Sequence, residues 1–189
     1  MGQRVSNVRI VGGRFKGLKI PYKDSLDVRP TSNKNRETAF NWLVHYIEGA
    51  TCLDMFSGTG ALGLEAISRG AKFVYFFEKN KKMCSNLEQT IKNLDLLDHT
   101  EIINTNSLGF SFQTRIKKPL DIIFIDPPFR KGFIKKALKK MESEKIISKE
   151  SIVYAELEKE KDINEIIPDW DLIKSKTGGQ TRLCLMKRK

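Results

Sequence analysis

Histidine and cysteine are scarce in this sequence, and the few present are scattered. His45 and His99 stand alone, while Cys52, Cys84 and Cys184 are odd in number, far apart and set among apolar residues. A disulfide framework needs pairs and a zinc site needs ligands at short spacing, so neither is expected, and no metal is. Unpaired thiols suit a reducing compartment, and the expected location is the cytoplasm. No apolar run approaches the ~20 residues of a membrane-spanning helix, so no membrane partner is expected. Behind Arg4 and Arg9 there is no apolar segment of the roughly 7–15 residues that a secretory leader requires. Acids are missing from residues 1–23, which carry Arg4, Arg9, Arg14, Lys16, Lys19 and Lys23. They are missing again from 130–140, which carry Arg130, Lys131, Lys135, Lys136, Lys139 and Lys140, whereas 156–165 are rich in Glu and Asp.

What is there in plenty is positive charge, +11 net. A basic proteome would raise that total without segregating it along the chain. Segregation points to a nucleic-acid face, with Arg9, Arg14, Lys16, Arg130 and Lys131 as the candidate phosphate contacts. With 189 residues, 40% of them hydrophobic, the chain can bury one α/β core plus a modest extension.

Val8–Val11, Gly12-Gly13 and Phe15–Ile20 read as a small hairpin with its turn at the glycines and a bulge expected at Gly17. A hairpin of this size must dock on the main body. Pro21 to Asp27 reads as a connector. Thr31 or Ser32 can cap a helix that carries an apolar stripe of Ala39, Phe40, Leu43, Val44 and Ile47 and ends at Gly49, with Arg36 and Glu37 on another side. From Thr51 strands are expected near 51–55, 72–78, 100–104, 120–125, 151–157, 171–175 and 181–187. Helices are expected at 61–69, 80–94, about 108–116 and 132–143. Such alternation predicts a doubly wound, mostly parallel seven-stranded sheet of Rossmann-like α/β class. Gly178-Gly179 predicts a final hairpin that gives the sheet an antiparallel edge.

Two stretches carry chemistry. Asp54-Met55-Phe56-Ser57-Gly58-Thr59-Gly60-Ala61-Leu62-Gly63 ends a strand, turns on glycine and opens a helix, leaving helix N-terminal amides available to a ligand. Gly58-x-Gly60-x-x-Gly63 matches the dinucleotide fingerprint, and Glu78 at the end of the next strand is placed for ribose hydroxyls. Asp54, however, would repel a pyrophosphate and would suit an ammonium group. The spacing resembles motif I of the class I methyltransferases, which implies S-adenosylmethionine. Asn106 and Ser107 follow the third strand, where an Asn can serve an adenine or a helix cap.

The second stretch is Asp126-Pro127-Pro128-Phe129 after the apolar run 120–125. Two prolines end the strand and hold Asp126 in extended backbone at the edge where open α/β sheets bind ligands. The plainer reading is an ordinary strand exit. The stretch also matches motif IV of amino-methyltransferases. There the acid and a Pro carbonyl accept both N–H bonds of a nucleobase amine, which localises its lone pair, and Phe129 stacks on the unstacked base.

Together with Arg29-Pro30-Thr31 and the Arg36–Leu43 block, these stretches occur in an order that resembles the RsmD family, the bacterial 16S ribosomal RNA guanine-N2 methyltransferases. Ala39 departs from that pattern, where a larger apolar residue is expected. The resemblance implies methylation of one guanine N2 in 16S RNA on an assembled or partly assembled small subunit. It implies that Asp126, Pro127, Pro128 and Phe129 hold the guanine. It also implies that Asp54, Phe56, Ser57, Gly58, Gly60, Glu78, Asn106 and Ser107 hold the cofactor, with Thr31 and Arg36 beside them. Residues 1–27 would form a basic hairpin extension and 28–189 the methyltransferase domain, acting as a monomer. A DNA or other RNA amino-methyltransferase acting on adenine N6, a dinucleotide-dependent oxidoreductase, and a non-catalytic RNA-binding protein remain the alternatives.

Overall fold

The computed structural model describes residues 5–23, 32–128, 132–160 and 163–189. Thr31, Phe129, Arg130, Lys131 and the boundary expected after residue 27 lie outside the described residues.

Buried apolar runs make the centre of the sheet. β3 (Thr51–Asp54), β4 (Phe73–Glu78), β5 (Thr100–Asn104), β6 (Ile122–Ile125) and β7 (Ile152–Glu158) all run parallel to one another. β8 (Trp170–Gly178) and β9 (Thr181–Arg188) complete seven strands in the order β5-β4-β3-β6-β7-β9-β8. The reversal of order between β3 and β6 is the switch point at which such sheets bind ligands.

The antiparallel strand is not simply added at the edge, as the Gly178-Gly179 turn alone suggests. β9 folds back between β7 and β8, antiparallel to both, and β8 takes the edge. Burial explains the choice. Leu183, Cys184, Leu185 and Met186 are all buried, whereas β8 is exposed along most of its length, with lysines at 174 and 176. Charged side chains on an edge strand discourage further pairing.

Two apolar layers cover the sheet. One face packs against α1 (Asn33–Trp42), α2 (Ala61–Ser68) and α3 (Lys81–Asn93) through Phe40, Leu64, Leu87 and Ile91. The other packs against α4 (Phe133–Ser143) through Ala137, Leu138 and Met141. α5 (Ile163–Ile166) is a single short turn before β8.

The N-terminal hairpin pairs β1 (Val5–Arg9) with β2 (Lys19–Lys23), Val8 opposite Ile20. The hairpin begins earlier and ends later than the apolar pattern suggests and has a longer loop, so Pro21 lies in β2 rather than in a connector. Residues 10–18 form the loop. Val8, Ile10 and Ile20 are buried in the same layer as Phe40 and Leu64, so the hairpin shares the core of the main sheet. Gly13 explains the docking. Its φ is +73°, and a Cβ there would lie 1.8 Å from the Ser68 carbonyl oxygen. The Arg14 amide donates to that oxygen at 2.7 Å, the Ser68 hydroxyl donates to the Gly12 carbonyl at 2.6 Å, and the Phe15 amide donates to the hydroxyl at 3.0 Å.

α1 is capped by Ser32, whose hydroxyl accepts from the Asn35 amide at 3.2 Å, and ends before the expected Gly49. Beyond it the chain turns, and Val44 is 56% exposed while Leu43 and Ile47 are buried. No α-helix forms at 108–116. Phe110 and Phe112 both pack on Phe77, at ring-centroid distances of 5.3 and 5.5 Å. Residues two apart cannot share a helix face, so tertiary packing leaves only a turn of 3-10 helix at Phe112–Thr114.

Candidate active site

The turn after β3 is held by two serine hydroxyls bonded to backbone carbonyls. The Ser57 hydroxyl donates to the Asp54 carbonyl at 2.8 Å and to the Phe77 carbonyl at 3.2 Å, and the buried Ser107 hydroxyl donates to the Met55 carbonyl. Ser57 and Ser107, expected at the cofactor, thus brace the turn that would carry it. Gly60, at φ +76°, begins α2. The Gly58 amide points across to β4 and donates to Glu78 Oε2 at 2.8 Å, while the Asn80 amide donates to Glu78 Oε1 at 2.6 Å. Gly63 is needed for a different reason, since a Cβ there would lie 2.2 Å from the Phe76 ring.

Four adjacent strands carry acids at or near their carboxyl ends on one face. Asp54 pairs with Phe76 on one side and Phe124 on the other, and Phe124 pairs with Tyr154. Glu78, Asp126 and Glu156 each follow two residues after one of those aromatics, so they occupy the next level on the same face of the sheet. Asp54 is 2% exposed, and its carboxylate accepts the Gly63 amide at 3.0 Å. Burial pushes the Asp54 carboxyl up to about 7, against the pull of that hydrogen bond and with the help of Asp126 and Glu78. Such a row disfavours a pyrophosphate and fits a ligand that brings positive charge, as the sulfonium and ammonium of S-adenosylmethionine do.

Asp126 and Pro127 are half-buried and Pro128 is exposed, at the end of β6. Beside them is a cavity of about 250 Å³, lined by Pro127, Pro128, Phe133, Glu156 and Glu158 among others. The Phe56 ring lies parallel to Phe133, at 2° and 6.1 Å between centroids, and so joins the glycine turn to the start of α4. Phe133 and Glu156 were not among the expected site residues. The signal for Glu156 was present: it is a fourth acid, following the apolar run 152–155.

Arg36 is not on an outward side of α1 but fully buried. Its guanidinium donates to the Arg9 carbonyl and, at 2.7 Å, to Asn33 Oδ1, tying the helix to the hairpin. Its Nε and Nη1 have no hydrogen-bond partner among the described residues. Burial holds its pKa below the usual arginine value, opposed by Glu65 and Glu156. Asn106 is exposed at the carboxyl edge beyond β5, and its Oδ1 accepts from the Leu108 amide at 3.3 Å. Arg9, Arg14 and Lys16 are exposed. Arg14 and Lys16, however, lie by the C-terminal end of α2, roughly 12 Å along that helix from the glycine turn. Among the described residues no cluster of three or more His, Cys, Asp or Glu could hold a metal ion, and no helix is long and apolar enough to cross a membrane.

Strand order, the acid-flanked glycine turn and the Asp-Pro-Pro corner together define a class I methyltransferase fold. Solved structures agree: that of yhhF from Escherichia coli superposes with a TM-score of 0.87 at 34% identity, covering 97% of this chain and 99% of that one. HI0767 from Haemophilus influenzae gives 0.81 over 97% and 99%, also at 34% identity. Within that class, residues 8–187 match the family model described as conserved hypothetical protein 95. The ribosomal RNA small subunit methyltransferase D of Buchnera aphidicola subsp. Acyrthosiphon pisum is 45% identical over 181 residues, covering 95% of this chain and 93% of that protein. The protein of the same name from Escherichia coli K12 is 38% identical over 96% and 90%. The chain belongs to this family, the RsmD methyltransferases.

Proposed function

We propose that this protein transfers the methyl group of S-adenosylmethionine to the exocyclic N2 of a guanine in small-subunit ribosomal RNA. The observation that carries this reading is the adjacency of Asp126-Pro127-Pro128 and Asp54 at the switch point, one corner suited to a base amine and the other to a cationic cofactor. S-adenosylmethionine supplies an electrophilic methyl group on a positively charged sulfur. Glu78 would hold its ribose hydroxyls, Asp54 would face its positive end, and Phe56 would border its adenine or the entering base.

The chain's own part is positioning. The Asp126 carboxylate and the Pro127 carbonyl accept the two N–H bonds of the amine, so that the nitrogen lone pair is drawn out of conjugation and aimed toward the cofactor. As that nitrogen becomes positive, the same carboxylate stabilises the charge and is placed to take the departing proton. Orientation of this kind is worth up to roughly 7–11 kcal/mol in favourable cases. Arg9, Arg14 and Lys16 give the hairpin a basic outer surface suited to RNA phosphates. Their position suggests that the RNA extends well beyond the base pocket.

The test is incubation with labelled S-adenosylmethionine and either naked 16S RNA or small subunits from a strain lacking the enzyme, followed by nucleoside mass spectrometry. N2-methylguanosine at a single position is expected, with small subunits the better substrate. N6-methyladenosine, or binding without transfer, would overturn the reading.

A further inference from the structure

The Asp-Pro-Pro corner grips an amine, and adenine, cytosine and guanine all have one. Something else must select guanine. On the Watson–Crick edge guanine differs from adenine beside its amine: N1 of guanine carries a hydrogen, whereas N1 of adenine carries a lone pair. A fixed anionic acceptor next to the amine clamp would distinguish them.

Glu156 meets that requirement. Ile125 pairs with Ala155, so Asp126, just past the end of β6, and Glu156, still within β7, lie at the same level on adjacent parallel strands about 4.8 Å apart. Both side chains continue the face that carries Phe124 and Tyr154, whose rings meet at 6.3 Å. Glu156 is 7% exposed and lines the cavity that Pro127 and Pro128 also line. Its carboxylate is not left to swing: the Tyr154 hydroxyl donates to Oε1 at 2.8 Å. Tyr154 is fully buried, and its pKa is pushed well above the usual value, so it remains a donor throughout the physiological range. A carboxylate offers about four acceptor positions, so it can hold more than one donor at once. Arg36, fully buried on the same side, adds a positive field that reaches Glu156.

We infer that Glu156 is the guanine-selecting residue, accepting the N1–H of the target base while Asp126 and Pro127 hold its N2 amine. Adenine in the same pose would set its N1 lone pair against a desolvated carboxylate. This role for Glu156 rests on the guanine-N2 reading above.

The experiment uses short RNA or reconstituted small subunits in which the target guanine is replaced by 2,6-diaminopurine. That base keeps the C2 amine as methyl acceptor and lacks the N1 hydrogen. Single-turnover rates are compared for the wild-type protein and for Glu156→Gln, together with S-adenosylhomocysteine affinity. The wild type should favour guanine by about a hundredfold or more, since a site built to bond a donor strongly rejects an analogue without it. Glu156→Gln should slow guanine and narrow that ratio by roughly tenfold or more, with S-adenosylhomocysteine affinity within about threefold of wild type. A purely structural role would lower both rates together and leave the ratio intact, which would overturn the inference. Equal wild-type rates on the two bases would also overturn it. Failure of the wild type to methylate guanine at all would instead bring down the functional reading beneath it.

Discussion

Glu78 Oε2 accepts the Gly58 amide at 2.8 Å, so the acid at the end of β4 is already fastened to the glycine turn of β3. One carboxylate therefore shapes the turn and is aimed at the ribose position beside it. Glu78→Ala should weaken S-adenosylhomocysteine binding by tenfold or more, while Glu78→Gln, which keeps an acceptor for Gly58, should lie between it and wild type. Calorimetric titration of the three proteins measures this directly.

Asp126→Ala removes the amine clamp but not the turn that faces Asp54. Transfer should become undetectable in a single-turnover assay, with cofactor affinity changed by less than about threefold. Residual transfer combined with collapsed cofactor binding would place Asp126 in the cofactor site instead.

Asp54 makes the stability of the apo protein fall with rising pH. Its carboxyl is held at about 7 in the folded chain against an ordinary value of 3.8, so between these values the folded state binds more protons than the unfolded state. The associated stabilisation is complete below about pH 4 and is lost as pH rises through 7, with an upper limit of roughly 4 kcal/mol. Asp54→Asn should flatten that part of the profile in urea unfolding between about pH 4 and 7. In the wild type, a cationic cofactor beside Asp54 should release a proton on binding near pH 7. The heat of binding would then vary with the ionisation enthalpy of the buffer.

Ser68 holds the hairpin through its hydroxyl and its carbonyl. Ser68→Ala deletes the two hydroxyl bonds and should cost about 1–3 kcal/mol in urea unfolding. Gly13→Ala should cost more, because both its positive φ and the nearby Ser68 carbonyl exclude a Cβ.

Charge reversal at Arg14 and Lys16 should weaken RNA binding and lower the slope of log K against log salt by about 1 for each phosphate no longer neutralised. An unchanged slope would move the RNA surface away from the hairpin loop.

The parallel strands were legible because a strand buried on both faces must be a continuous apolar run, and 122–125 and 152–155 are such runs. Asp54, Glu78 and Asp126 were legible because each ends such a run beside a turn signal. Strand order is another matter. Nothing local says that β9 enters between β7 and β8, since that choice rests on relative burial across the whole sheet. The burial of Arg36 was not legible for a similar reason: a charged residue off the apolar stripe normally faces water, and the hairpin laid over α1 helps to bury it. The segment 108–116 had composition compatible with a helix, but Phe77 draws Phe110 and Phe112 to one side and prevents it.

The placement of β9 also bears on how the molecule is made. Synthesis from the amino end delivers β7 well before its partner. Until residues 181–188 have been made, one backbone edge of the buried strand β7 is open and β8 has nothing to pair with. An open apolar edge is an invitation to wrong partners. Closing the sheet is therefore a late event in the life of the nascent chain, and it brings Glu156, opposite Leu183, to its final position at the same moment.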